Sequence, residues 1–457
     1  MIEALKPYGK YKESGLPWLG SFPSHWVIKR GKSYLFCIDK RSKAGKEELL
    51  TVSSARGVVP RSSAMVTMFK AESYAGHKLC WPGDLVINSL WAWGGGLGVA
   101  QHHGIISTAY SVYRSRLSAQ INPRYLHVLV RSSAFHWELQ VRSKGVWISR
   151  LQLTDTSFLD APIPLPPPDE QAAIVRFLDH ANRKIDGFIR AKRKLIGLLN
   201  EQKQAIIHRA VTRGLDPNAK LKPPGIPWLG EIPAHWEVRR AKYLFREVDE
   251  RSKDGSEELL SVSHLTGVTP RSQKNITMFK AESYEGHKLC RPEDLVVNTM
   301  WAWMGAMGVS AYTGIISPAY AVYRSCSDGF VGPYIDFLLR TQPYIANIIC
   351  RSTGLRASRL RLYPEEFFRL PLILPPVEEQ RAILDSIASK TSVFTIAISR
   401  TEREIALMQE YRTRLTADIV TGKLDVREAA AKLPKEKPEE VVEDDISEDE
   451  TELEEPE

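Results

Sequence analysis

The hydrophobic and polar residues of this chain follow two alternating patterns. From residue 26 to residue 165, short apolar runs typical of strands are separated by Gly, Pro and Ser, as at 84–87, 104–107 and 110–113. A helical stretch is predicted at 123–139 within this region. Short strands combined with a helix predict a compact α+β domain.

After the proline-rich segment 162–168, apolar residues recur at heptad spacing over a long stretch. Asp169 and Glu170 suit the start of a helix and Gly214 suits its end, and the same pattern follows the second proline-rich segment at 371–376. Each predicted helix has about 43 residues and spans roughly 65 Å at 1.5 Å per residue. A lone helix of that length needs a partner, so we expect the two helices to pair along their apolar seams. The seam residues are Ile174, Leu178, Ala181, Ile185, Phe188, Leu195, Leu199 and Ile206, and then Ile383, Ile387, Phe394, Ile398, Ile405, Met408, Leu415 and Ile419.

The two patterns occur twice because the chain repeats itself. Residues 41–116 align with residues 251–326 without a gap, and 49 of the 76 positions are identical. Solenoid repeats are roughly 20–50 residues long, so an offset of 210 residues indicates whole duplicated domains. Two copies provide two binding sites or a pseudo-symmetric core, and a duplication with one inactive copy is the alternative. The predicted parts are domain 1 (1–168), a central helix (169–215), domain 2 (216–377), a terminal helix (378–425) and an acidic disordered tail (426–457).

The charge of the chain indicates its partner. It contains 62 basic and 54 acidic residues, but residues 433–457 alone hold 13 acidic and only two basic ones. The remainder therefore has 60 basic and 41 acidic residues, which favours a polyanion such as nucleic acid, although a merely basic soluble protein is the alternative. The acidic segment has few apolar residues, which is typical of disorder.

The cysteines and the apolar runs indicate the cellular compartment of the protein. None of the five cysteines forms a Cys-x-x-Cys pair, so we expect reduced thiols, with Cys80 and Cys290 as small core residues and no metal site. Neither a run of about 18 apolar residues nor a signal-peptide pattern is present, and we expect a cytoplasmic protein without a membrane span.

Short motifs occur in pairs at matching places in the two copies. The start of each domain carries SGLPWLG at 14–20 with PSHW at 23–26, and GIPWLG at 225–230 with PAHW at 233–236. The end of each domain carries PIPLPP at 162–167 before EQ at 170–171, and PLILPP at 371–376 before EQ at 379–380. The helix ends carry VTRGL at 211–215 and IVTGKL at 419–424. In this order the motifs resemble those of the specificity subunits of type I restriction–modification systems, over residues 1 to about 428.

The resemblance implies a fold and a role in host defence. Two tandem target-recognition domains would each read one half of a split site on double-stranded DNA, and the two helices would form an antiparallel coiled coil with pseudo-two-fold symmetry. Two DNA-methyltransferase (modification) subunits would dock on the helices, and two restriction–translocation subunits can join them. The chain itself would be no enzyme and would bind no cofactor, because S-adenosylmethionine belongs to the modification subunits.

Two segments in each copy carry residue types suited to DNA. The first is a predicted loop at 53–70, repeated at 263–280, and the second, at 88–98 and 298–308, is rich in Gly and Trp. Lys and Arg would contact phosphates, whereas Arg, Asn, Ser and His can read base edges. Trp91 and Trp93 would share one side of a strand, which favours buried packing, and His77 with Lys78 could form a solvated turn. The DNA-binding candidates are Arg61, Ser62, Lys70, His77, Lys78, Asn88, Trp91, Trp93 and Arg150, and their repeats Arg271, Ser272, Lys280, His287, Lys288, Asn298, Trp301, Trp303 and Arg359.

The similarity of the two copies predicts the symmetry of the target. Near-identical domains related by a two-fold axis should read near-identical, inverted half-sites, with centres about one helical turn (~34–36 Å) apart or somewhat more. Differences between the half-sites would come from exchanged residues, with neutral surface drift as the alternative. The exchanges are 54–56 (Ser-Ala-Arg) for 264–266 (His-Leu-Thr), 63–65 for 273–275, and 101–103 for 311–313.

Two other functional classes have weaker support in the sequence. Gly31-Lys32-Ser33 resembles the end of a phosphate loop, but Trp26 stands where that loop needs Gly, and segment 94–98 does not satisfy Gly-x-Gly-x-x-Gly. The sequence also lacks the Asn-Pro-Pro-aromatic motif of adenine methyltransferases. A purely structural scaffold is the second alternative, compatible with the long helices and the acidic tail.

Overall fold

A computed structural model describes residues 5–64, 73–145, 151–273, 283–354 and 360–434. The contacts divide the chain into two units, the first made of 1–190 with 404–457 and the second made of 191–403. Each unit therefore combines one domain with part of each long helix.

The domain of the first unit is built around a four-stranded antiparallel sheet. Its strands follow the order Leu35–Ile38, Tyr110–Ser115, Leu85–Asn88 and Leu97–Val99. Leu85, Val112 and Leu97 are fully buried, as expected for strands that pack against a core. The other strands are Tyr11–Glu13, Ser21–Pro23, Val27–Arg30, Leu50–Ser53, Gly57–Pro60, Lys78–Cys80, Gly104–Ile106 and Pro162–Leu165.

The helical stretch predicted at 123–139 is two helices, Pro123–Arg131 and Ser133–Arg142. Ser132 separates them because its side chain caps the second helix, accepting from the amide of Phe135 at 3.3 Å. Asn122 caps the first helix in the same way, with Pro123 in the first turn. A short helix, Asp155–Leu159, precedes the final strand of the domain.

The second unit repeats this order of elements. Its four-stranded sheet has the order Phe245–Val248, Ala321–Ser325, Leu295–Val297 and Met307–Val309. Cys80 in the first copy and Cys290 in the second are fully buried thiols, which confirms their predicted role as core residues. The remaining strands are Leu221–Lys222, Ile232–Pro233, Glu237–Arg240, Leu260–Ser263, Gly267–Pro270, Lys288–Cys290, Gly314–Ile316 and Pro371–Leu374, and the helices of this domain are Gly332–Leu339, Gln342–Arg351 and Pro364–Phe368.

The two long helices are Pro168–Arg213, named the central helix, and Val377–Val420, named the terminal helix. Each ends at a glycine with a left-handed backbone, Gly214 at φ +73° and Gly422 at φ +77°. In the first unit, Ile419 of the terminal helix belongs to the same buried cluster as Ile174 of the central helix. In the second unit, Val211 of the central helix belongs to the same cluster as Ile383 of the terminal helix.

The segment after the terminal helix differs from the prediction. A disordered tail was expected from residue 426, but Arg427–Lys432 is a short helix. Val426, Ala429 and Ala430 are buried in the core of the first unit, so apolar packing holds this segment in place despite the acidic residues that follow it in the sequence. Residues 435–457, the rest of the predicted tail, lie outside the described residues.

One of the described helices is long and apolar enough to cross a membrane by length and composition alone, although no span was predicted. The most apolar 18-residue stretch of Val377–Val420 has a mean hydropathy of 1.2. A single such helix is weak support for a span. Ile383, Ile387, Leu415 and Ile419 of this helix are buried in the cores of the units, which gives its apolar seam a packing role.

Candidate nucleic-acid interface

Each domain carries an exposed hairpin, here named the tip hairpin. In the first unit Leu50–Ser53 pairs with Gly57–Pro60, and residues 54–56 form the exposed turn between them. Gly57 has φ +78°, a conformation that favours glycine, and the Ser53 hydroxyl accepts from the amides of Ala55 and Arg56 at 3.2 Å. In the second unit Leu260–Ser263 pairs with Gly267–Pro270, and residues 264–266 form the exposed turn.

An arginine at the C-terminal end of a helix in the same domain holds each turn, Arg131 as the last residue of its helix and Arg340 directly after its helix. Arg131 donates to the carbonyl oxygens of Ser54 at 2.7 Å and Ala55 at 2.8 Å. In the second unit Arg340 donates to the carbonyl oxygens of His264 at 2.7 Å and Leu265 at 2.8 Å. A planar guanidinium fixes two neighbouring carbonyls at once, so the backbone of the turn is positioned from within the domain. Burial lowers the pKa of Arg131.

Arg131 also reaches the tryptophan segment 88–98, here named the Trp turn (298–308 in the second unit). One of its Nη1 hydrogen bonds, 2.8 Å long, goes to the carbonyl of Leu97 in this segment. The tip hairpin and the Trp turn pack closely at two glycines, Gly57 and Gly98. A Cβ atom added to Gly98 would lie only 3.1 Å from the Cα of Gly57, so a larger residue there would crowd the hairpin. The same relationship holds between Gly308 and Gly267, at 3.0 Å. The tip hairpin, the Trp turn and the arginine therefore form one cluster in each unit.

The strand predicted for Trp91 and Trp93 is wrong, and Trp91 is not buried, whereas Trp93 is half-buried. Residues Ala92–Gly94 form a 3-10 turn, followed by Gly95 at φ +84°, so the alternation of a strand does not apply. Ala92 is the buried residue of this turn, whereas the Trp91 side chain is 47% exposed. The Trp91 and Trp93 rings lie 4.9 Å apart between centroids. In the second unit Trp301 and Trp303 are half-buried and stacked at 6.0 Å.

The two predicted asparagines stabilise the Trp turns from within. The Asn88 side-chain oxygen accepts from the Leu90 amide at 3.2 Å, and the Asn298 oxygen accepts from the Met300 amide at 3.2 Å. Asn298 is only 1% exposed. Both contacts are typical of turn formation by asparagine, so these side chains shape the cluster.

Of the two histidine–lysine pairs, His77, Lys78 and His287 are half-buried and Lys288 is buried. Lys78 donates to the Tyr110 carbonyl at 2.7 Å, and Lys288 is 8% exposed with its ammonium 3.6 Å from Asp249. The His77 and His287 rings pack edge-on against tyrosines, and their buried Nδ1 atoms have no hydrogen-bond partner in the described part of the chain. The two lysines thus serve the fold, which does not favour phosphate contact.

The remaining candidates lie at the base of the tip hairpin or outside the described residues. Arg61 and Arg271 are half-buried at the start of a 3-10 turn that directly follows the hairpin, and the adjacent Ser62 and Ser272 are exposed. The Ser272 hydroxyl donates to Glu258 at 3.1 Å. The four candidates outside the described residues are Lys70, Arg150, Lys280 and Arg359.

The paired motifs meet where each long helix begins. Glu170 accepts from the indole of Trp26 at 2.8 Å, from Tyr8, and pairs with His25 at 2.8 Å. Gln171 donates to the Pro166 carbonyl at 2.9 Å and accepts from the Asn122 amide at 2.7 Å. The motifs at the start and the end of the domain therefore join the domain to its helix.

The second copy keeps this junction with fewer partners. Glu379 accepts from the indole of Trp236 at 3.1 Å and pairs with His235 at 2.6 Å. Gln380 donates to the Pro375 carbonyl at 2.8 Å. The motifs that repeat along the chain are thus structural in both copies.

Known proteins resemble this chain in sequence and in fold. No protein-family model matches it. The type I restriction enzyme MjaX specificity subunit of Methanocaldococcus jannaschii is 24% identical over 320 residues, covering 67% of this chain and 69% of that protein.

Among solved structures, a chain from a type I restriction–modification system, described for its complex assembly and conformational transition, shares the fold. Its TM-score is 0.59 at 17% identity, covering 88% of this chain and 99% of that chain. The HsdS subunit of Thermoanaerobacter tengcongensis matches at 17% identity and a TM-score of 0.40, covering 89% and 98% of the two chains. The Methanocaldococcus jannaschii relative confirms the resemblance to type I specificity subunits that the motifs indicate, and the structure with the TM-score of 0.59 shows that the fold is shared.

Proposed function

We propose that this chain is the cytoplasmic DNA-recognition subunit of a type I restriction–modification complex, and that each domain reads one half of an interrupted site. The paired clusters of tip hairpin, Trp turn and arginine are the observation that carries this proposal. A rigid turn that exposes variable side chains suits base-edge reading, because recognition needs side chains placed accurately in a groove.

The tip residues supply the chemistry for reading bases. Residues 54–56 and 264–266 are exposed in both copies and differ at every position. Arg56 can donate to guanine, and His264 can donate or accept at a base edge. Arg56 now donates to the Ser63 carbonyl at 2.6 Å, so DNA would compete for a side chain that is already near the surface. The exposed face of Trp91 beside the tip can contact sugar or base.

The long helices would set the spacing between the half-sites and receive the methyltransferase subunits. Asp186 contacts Arg412 within the first unit, and Lys203 donates to Thr395 at 3.2 Å within the second. In both pairs one residue number rises as the other falls, which supports antiparallel pairing of the helices as a coiled coil. In this proposal the modification subunits carry the S-adenosylmethionine and the catalysis, and restriction subunits can join them.

We expect a near-palindromic target, because the scaffold of the two clusters is nearly the same in both copies. Unlike bases would be confined to positions read by residues 54–56 and 264–266. The test is a genome-wide map of adenine methylation in cells expressing this chain with its modification subunit, compared with cells lacking this chain. An interrupted motif found only with this chain supports the role. Unrelated half-sites would contradict the symmetry alone, and absence of any motif with both proteins folded and associated would contradict the role.

A further inference from the structure

The Trp turn of the first unit exposes two neighbouring apolar side chains. Leu90 is 52% exposed and Trp91 is 47% exposed. The turn that carries them is fixed, because the Trp93 indole donates to the Leu90 carbonyl at 3.2 Å and the Asn88 side-chain oxygen accepts from the Leu90 amide. Two large apolar side chains presented by a fixed turn are typical of a contact surface.

Two glycines provide the space into which the Trp91 indole packs. A Cβ atom added to Gly94 would lie 2.8 Å from the Trp91 Nε1 atom, and one added to Gly96 would lie 3.0 Å from the Cδ1 atom of the same ring. Neither glycine has the left-handed φ of Gly95, which lies between them. The backbone therefore does not require glycine at these two positions, whereas the close approach of the ring does.

The second unit carries larger residues at both places. Met304 and Ala306 stand where the first copy has the two glycines. There Trp301 is half-buried, and its ring lies 6.0 Å from that of Trp303 with 17° between the planes, compared with 4.9 Å and 50° in the first unit. The exchanged residues are those whose Cβ atoms would meet the ring, so the two glycines account for the more exposed orientation of Trp91.

The exposed pair lies beside the surface proposed to read bases. The carbonyls of Leu97 in the Trp turn and of Ser54 and Ala55 in the tip accept from one guanidinium, that of Arg131. The tip also presents Arg56, an exposed cation. Apolar side chains beside cations suit DNA, because cations bind phosphates while an apolar wedge can enter between two base pairs and unstack them.

We propose, on the basis of the proposed function, that Leu90 and Trp91 form a wedge that enters the DNA at the half-site read by the first domain and unstacks one base step. The space at Gly94 and Gly96 holds the Trp91 ring in one orientation, so little freedom is lost when the ring stacks on a base. The second domain lacks this space and reads its half-site without the distortion. The two half-sites therefore differ in shape in the complex even where their bases are the same.

The test is permanganate footprinting of the complex with its modification subunit on the target site, with thymines placed at every position that the target leaves unspecified. Permanganate oxidises thymines that are not stacked, so the wedge should produce a reactive base step. The variant Trp91→Ala and the double variant Gly94→Met with Gly96→Ala, which copies the second unit, should each lower this reactivity several-fold. Trp301→Ala is the matched control in the second unit and should leave the reactivity unchanged.

The thymine opposite the methylated adenine provides an internal reference, because methyltransferases take their target base out of the stack. Its reactivity should be equal in all of these complexes, which shows that each variant is folded and bound. No reactive step besides this reference, or a step that persists in Trp91→Ala, would overturn the wedge. A step that persists only in the double variant would overturn the role of the two glycines.

Two further outcomes separate this proposal from its alternatives. A Trp91→Ala chain that binds DNA as before but no longer binds the modification subunit would assign Leu90 and Trp91 to a protein contact and overturn the wedge. A wild-type complex that does not bind the target site at all would contradict the proposed function itself. Specific binding and methylation without a wedge-dependent step would contradict the wedge and leave the proposed function intact.

Discussion

Arg131 and Ser54 are 77 residues apart in the chain, yet the guanidinium of Arg131 donates to the Ser54 carbonyl at 2.7 Å. Arg340 makes the same contact with His264 at 2.7 Å in the second unit. The side chains of Ser54 and His264 differ, whereas the bond to the backbone is kept. The arginine therefore positions the tip hairpin independently of the residues that the tip exposes.

The first prediction concerns this arginine. Arg131→Met should lower the affinity for specific DNA about tenfold or more, because the carbonyls of the turn lose a charged donor worth about 1.5–3 kcal/mol. Affinity should be measured for the complex with its modification subunit, on specific and on random DNA. The matched control is Arg30→Met, which removes a cation whose side chain is 65% exposed. If both variants lose the same affinity for specific DNA, Arg131 contributes only its positive charge and does not position the turn.

The second prediction exchanges the tips. Replacing residues 54–56 by those of 264–266 (Ser54→His, Ala55→Leu, Arg56→Thr) should change one half of the methylated motif to match the other. Arg131 binds only the backbone of the turn, so the exchanged residues should be held in the same way. Methylation mapping provides the measurement, and the reverse exchange in the second domain is the control. If the methylated motif stays unchanged in both exchanges while methylation itself persists, the tip residues do not read bases.

The success of the sequence-based predictions depended on the range of the interactions. The strand Leu85–Asn88 and the buried Cys80 and Cys290 were predictable because an apolar run and a small apolar residue determine their own burial. Trp91 and Trp93 were misplaced because the strand ends before them, at Asn88, in a turn that is stabilised by the Asn88 side chain and followed by the left-handed Gly95.

The positioning arginines could not be predicted from local pattern. The partners of Arg131 and Arg340 are backbone carbonyls about 75 residues away, and a carbonyl leaves no signature in the sequence. The one available signal was that an arginine occurs at both positions of the repeat. Lys78 and Lys288 had the same signal, yet the fold binds their ammonium groups itself. Recurrence in both copies therefore does not distinguish a structural cation from a DNA contact.

The third prediction compares the two junctions between domain and helix. The side chain of Glu170 is 4% exposed and has three partners, whereas that of Glu379 is 26% exposed and has no counterpart of the Tyr8 contact among the described residues. Glu170→Gln should therefore lower the free energy of unfolding by about 2 kcal/mol and Glu379→Gln by about 1 kcal/mol. The cost is larger at Glu170 because three donors lose a charged acceptor there and the carboxylate is more deeply buried. Urea unfolding followed by circular dichroism gives both values. A larger loss of unfolding free energy in Glu379→Gln than in Glu170→Gln would contradict the argument that burial strengthens this junction.

The last prediction concerns acid and the two copies. His127 accepts from the Val99 amide through Nδ1 at 3.1 Å, and the equivalent Asp336 accepts from the Val309 amide at 3.3 Å. Burial, with Arg131 as a further cause, lowers the pKa of His127 to about 4, whereas burial raises the pKa of Asp336. Between pH 6.5 and about 4 the unfolded chain protonates this histidine while the folded chain does not, so the first unit loses stability as the pH falls, by at most about 3 kcal/mol. The folded chain takes up a proton at Asp336 before the unfolded chain does, so this group adds stability as the pH falls.

Hydrogen exchange of the two accepted amides measures this difference locally. After correction for the intrinsic pH dependence of exchange, protection at Val99 should fall between pH 6.5 and 4, and protection at Val309 should fall less. His127→Asn keeps a neutral acceptor oxygen at every pH and should abolish the decline at Val99, with Asp336→Asn as the control in the second unit. The variant removes the imidazole from this hydrogen bond. If protection at Val99 still declines to the same extent in His127→Asn, another group causes the acid sensitivity.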